Sequence, residues 1–77
     1  MFNYSKLRGK IREVFHTQSN FAKSMGFSSA TLSAKLNNAV EFSQSEIKRA
    51  CELLGITDDF ELKAYFFTQT VQKSEPQ

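Results

Sequence analysis

Between Thr17 and Asn38 the chain reads TQSNFAKSMGFSSATLSAKLNN, and the polar groups in it are of one kind. Gln18, Asn37 and Asn38 supply amides; Ser28, Ser29, Thr31 and Ser33 supply hydroxyls; Lys23 and Lys35 supply positive charge; no acid interrupts them. Hydroxyls and amides both donate and accept, and the small Ala30 and Ala34 let a backbone come close to whatever lies opposite. This is chemistry for reading a surface. Bond-making chemistry is not suggested: His16 and Cys51 are single and distant, and no nucleophile–base pair, metal-ligand cluster or phosphate-cradling glycine loop is present. The expectation is a binding protein with no catalytic residues, no metal and no cofactor.

The charge distribution points the same way. The net charge of +2 hides six Lys/Arg against Glu13 alone in residues 1–38, and four basic against seven acidic residues in 39–77. A chain segregated this way offers a positive half to an anion. Lys6, Arg8, Lys10 and Arg12 join Lys23 and Lys35 in that half. One cysteine excludes an internal disulfide, and Cys51 in IKRACELL fits a small buried residue on a helix face. No apolar run approaches the roughly 18 residues of a membrane span and no signal peptide is visible, so a cytoplasmic protein is expected.

The elements that position these groups are all helical. Leu7, Ile11, Val14 and Phe15 give a stripe for a helix over about 4–15 closed by His16, and Thr17 caps a second helix, 18–25, buried through Phe21, Ala22 and Met25. Gly26 suits a left-handed C-cap, Ser28 caps a third helix over about 29–37, and Ser43-Gln44-Ser45-Glu46 is a capping box behind Phe42 for a fourth, with Ile47, Ala50, Cys51 and Leu54 inward. Gly55 ends it and Thr57 caps a fifth helix over about 58–66. The expected architecture is all-α, a compact five-helix domain over residues 1–73, with 74–77 frayed and a short extended C-terminal arm.

Counting from Gln18 as position one, Ala22 is five, Gly26 is nine and Leu32 is fifteen. A small residue at the crossing, a glycine at the turn and an apolar anchor in the second helix are the helix-turn-helix pattern, here over 17–38. With the closing LNN and the following EFSQSEIKRACELLGI, the segment resembles the λ-repressor-like, Xre-type helix-turn-helix domain, most of all the short phage repressor and Cro-like proteins. That resemblance implies a sequence-specific transcriptional regulator of a bacterial host cell, nucleoid-associated when bound, whose third helix reads the DNA major groove at a palindromic operator. Gln18, Lys23, Ser28, Ser29, Ala30, Thr31, Ser33, Ala34, Lys35, Asn37 and Asn38 would then face DNA. The family usually has an apolar residue where Lys35 stands, and Leu36 would take over its packing.

A second function fits the same fold: an antirepressor-like module that keeps the helix-turn-helix but acts by binding another regulator. The Lys35 departure and the aromatic C-terminal run AYFFTQTVQ keep it open as the alternative to DNA binding. One helix cannot turn Tyr65, Phe66 and Phe67 to a single core, so an exposed ring and a homodimer through Phe67 and Val71 are expected.

Overall fold

The helix limits follow from local hydrogen-bond chemistry. A computed structural model of the chain describes residues 1–69, with α1 at Ser5–Phe15, α2 at Gln18–Met25, α3 at Ser29–Leu36, α4 at Gln44–Leu54 and α5 at Asp59–Phe66. The first N–H groups of a helix lack intrahelical acceptors, and nearby oxygens supply them. Thr17 Oγ1 accepts from the Asn20 amide at 3.1 Å, and Ser28 Oγ from Thr31 at 3.1 Å. In α4 the capping box closes both ways: Ser43 Oγ accepts from the Glu46 amide, and Glu46 Oε1 from the Ser43 amide. Gly26 (φ 81°) and Gly55 (φ 73°) take the left-handed turns that end α2 and α4.

Three details differ from expectation. Asp58, not Thr57, caps α5: its carboxylate accepts from the Phe60 amide at 3.1 Å, so the helix begins at Asp59, one residue later than expected, with a negative charge at its positive end. The third helix stops at Leu36, and Asn37 sits outside it. Val14 is exposed, since the last turn of α1 runs past the core and Phe15 turns inward, its ring 5.3 Å from Phe21.

The core is continuous. Leu7 and Ile11 of α1 meet Phe21, Ala22 and Met25 of α2, Leu32 and Leu36 of α3, Ala50, Cys51 and Leu54 of α4, and Phe66 of α5. Ala22 lets α2 lie close to α3, while α1 packs on α2, α4 and α5. Burial pushes the Cys51 thiol above its ordinary value, with the nearby Glu52 charge adding to it. Of the three consecutive rings, Phe66 is buried, Tyr65 half-buried and Phe67 exposed. Past α5 the chain pairs with its own beginning: Phe2 and Gln69 form an isolated antiparallel bridge. Val71, named above as a contact residue, and 74–77 lie outside the described residues.

Truncating Leu32, which is 1 % exposed, leaves a cavity under α3, so Leu32→Ala is expected to lower unfolding free energy by about 2–5 kcal/mol in urea denaturation. A change within error would place Leu32 on the surface.

Candidate interaction face

The turn between α2 and α3 is tightened from both sides. The Phe27 amide donates to Ala22 O at 2.8 Å, and the Ser19 and Ser29 hydroxyls meet at 3.4 Å across the two helices. This sets the outer surface of α3. Ser28, Ser29, Ala30, Thr31 and Ser33 are exposed along it, Lys23 is exposed on α2, and Gln18 is half-buried at the start of α2. Ala34 turns further inward than its place on a helical wheel suggests. The chain after α3 folds back over it, with the Ala39 amide donating to Ala34 O at 2.9 Å. Several of the hydroxyls are already used: Ser28 Oγ donates to Thr31 Oγ1 at 2.9 Å while accepting from the Thr31 amide.

Lys35 overturns its sequence-based placement. It was expected to reach a base or a phosphate, yet it is only 6 % exposed. Its ammonium lies 3.0 Å from Glu46 Oε1 and donates to the Glu41 carbonyl at 3.1 Å. The Phe27 and Phe42 rings stand 5.3 and 5.9 Å away. An ammonium leaves water only where partners replace it, and a carboxylate, a carbonyl and two aromatic faces do so here. Leu36 is buried as well, so the two adjacent residues share the inner side of α3.

Asn38 is likewise occupied. Held at φ 66°, it accepts from the Phe2 amide at 2.9 Å and donates from Nδ2 to Phe2 O at 2.8 Å. Asn37 Oδ1 accepts from Arg8 Nη2 at 2.9 Å, and the same nitrogen donates to Leu36 O. Lys6 sits over the Tyr65 ring at 5.0 Å, and Lys10 pairs with Glu13 at 3.8 Å. The positive half is therefore largely engaged internally. Arg12 and Lys23 alone of its six cations have no side-chain partner among the described residues. What α3 turns outward is small and neutral. Phe67, the other candidate contact, is 45 % exposed and packs edge-on against Phe2 with centroids 5.7 Å apart.

A family model described as a protein of unknown function (DUF739) matches residues 1–69. The chain belongs to the DUF739 family. Among solved structures, this DUF739 chain is similar to the modulator of repression (MOR) of the temperate bacteriophage TP901-1 from Lactococcus lactis, determined in solution. The identity is 41 %, the TM-score 0.76, and the match covers 92 % of this chain and 95 % of that one. A comparison with curated protein sequences finds no match. The match corrects the Xre-type resemblance: the similarity runs to a modulator of repression, not to a DNA-binding repressor or Cro-like protein, and the reading of the chain as a sequence-specific DNA-binding regulator falls with it. No helix among the described residues is long and apolar enough to cross a membrane.

Sequence reasoning missed the Lys35–Glu46 pair although both halves were visible. A lysine stood where apolar packing was expected, and a glutamate stood at the capping-box position of the next helix.

The pair gives a pH dependence. Partial burial pushes the Glu46 carboxyl up, but donation from the Ser43 amide, and then the hydrogen bond and charge of Lys35, outweigh it and hold it below its ordinary value near 4.5. A depressed folded value means the stabilisation is complete above about pH 4.5 and is lost as pH falls through the folded value. Lys35→Met keeps the stem and removes the charge, so its urea midpoint is expected to fall less steeply with acid than that of the parent. Lys35→Glu, with two carboxylates facing each other, is expected not to fold at neutral pH. Identical acid profiles for the parent and Lys35→Met would show the pair to be uncoupled.

Proposed function

We propose that the chain is a protein-interaction module that modulates repression by binding another phage regulator, with no catalytic step of its own. The observation that carries this reading is the end-to-end match, at 41 % identity, to a phage modulator of repression. The charge accounting supports it. A groove-reading helix gains most of its affinity from cations set against phosphate. Here the one cation of α3 is turned into the core, and the helix 1 cations are largely bound to the protein's own carbonyls, rings and carboxylate. A small, neutral helix face suits close packing against another protein, where contact depends on shape and apolar area.

Calorimetric titration with the repressor encoded in the same phage genome tests the reading. Saturable binding is expected, changing little between low and moderate salt because few exposed ion pairs are involved. The chain alone is expected to show no saturable binding to duplex DNA carrying that repressor's operator. Absence of a protein complex at tens of micromolar, on the order of a weak contact, together with tight, salt-sensitive DNA binding by the chain alone, would contradict it.

A further inference from the structure

The segment before α1 is held in an unusual way. Met1–Asn3 lies between the side chain of Asn38 and the backbone that leaves α5. On one side Asn38 grips both the N–H and the C=O of Phe2. On the other, the Asn3 amide donates to Thr68 O at 2.7 Å and Phe2 bridges to Gln69. The Phe2 ring packs on Tyr4 and Phe67 at 6.0 and 5.7 Å. The ring is also one wall of a depression of about 180 Å³ whose other apolar walls are Tyr4, Phe42, Ile47, Phe66 and Phe67. An apolar groove of about 470 Å³ beside α4, walled by Cys51, Ile56 and Leu62, shares Ile47 and Phe67 with it.

We propose that Met1–Asn3 is a strap that opens and closes over this aromatic end of the molecule, with Asn38 as its catch. Few bonds hold it, and they lie at half-exposed positions, which places the strap at the low-stability end of the structure. Opening removes one wall of the depression and the ring that packs edge-on against Phe67. The depression and the groove then join into one apolar cleft. The catch sits in the turn that ends α3, where Arg8 also ties Leu36 and Asn37 to α1. On the interaction-module reading, a partner that seats on the end of α3 and binds the two strap positions unequally shifts the strap, and the strap shifts that partner's affinity by the same factor. The lone left-handed asparagine after α3 has this role: glycine would make the turn but could not hold Phe2.

Asn38→Gly keeps the turn and deletes both bonds, and amide hydrogen exchange on the whole chain reads the result. The Phe2 and Asn3 amides are expected to exchange roughly tenfold faster, the effect of losing weak local hydrogen bonds, while those of Ile11 and Leu32 are unchanged. The apolar dye anilinonaphthalene sulfonate is expected to bind more strongly to Asn38→Gly, and also to Phe2→Ala, in which the catch is intact. Asn38→Asp keeps the acceptor for the Phe2 amide and loses the donor, so it falls between parent and Asn38→Gly in exchange. An unchanged Asn3 amide, unchanged dye binding in both variants, or equal acceleration throughout the core would overturn the strap. Should Asn38→Gly unfold, Asn38→Asp and Phe2→Ala decide the matter on the same readouts.

Discussion

The structure turns on the burial of one ammonium. Lys35 lies on the inner side of α3, and its charge is balanced by Glu46 at the first turn of α4. Because Glu46 also closes the capping box with Ser43, one carboxylate both starts α4 and ties that start to the last turn of α3. A buried pair of this kind is weak evidence for extra stability, since desolvation offsets much of the attraction. Its consequence is geometric. The α3 seating that satisfies Lys35 also leaves the outer face of the helix without charge.

The same economy runs through the basic half. A net charge read from sequence counts every cation as available to a partner, whereas the fold commits most of these to itself. Arg8 fastens the end of α3 to α1, Lys6 covers Tyr65, and Lys10 meets Glu13. The exposed pairs contribute little to stability, but they change what the surface presents. A domain with helix-turn-helix spacing can thus carry a third helix with no outward charge and offer a shaped face to a protein. Fold and function separate at this point.

What was legible in the sequence is what is decided locally. Thr17, Ser28 and the Ser43–Glu46 box cap helices because side-chain oxygens reach amides within three residues, and Gly26 and Gly55 turn because they lack a Cβ. The inward faces of α2 and α4 follow from helical spacing. What was illegible depends on partners far along the chain. Asn38 holds Phe2 across 36 residues and Arg8 reaches Asn37 across 29, and neither pairing leaves a periodic trace. Lys35 was misplaced for a related reason: charge ordinarily signals the surface, and only the positions of Phe27, Phe42, Glu41 and Glu46 in space reverse that signal. The functional assignment went astray for another reason: helix-turn-helix spacing and a segregated charge are compatible with a groove reader and with a protein-binding module alike.

The most direct test of the account is the side-chain ammonium of Lys35 observed by nitrogen–proton NMR in the free protein. Buried between two rings and bonded to a carboxylate and a carbonyl, its protons are predicted to exchange slowly enough to be seen near neutral pH. They are also predicted to shift upfield from those of Lys23 and Lys48, and to lose part of that shift when Phe42, one of the two rings facing the ammonium, is replaced by leucine. A Lys35 signal that matches the exposed lysines in position and exchange would put the charge back on the outer face of α3 and contradict the account.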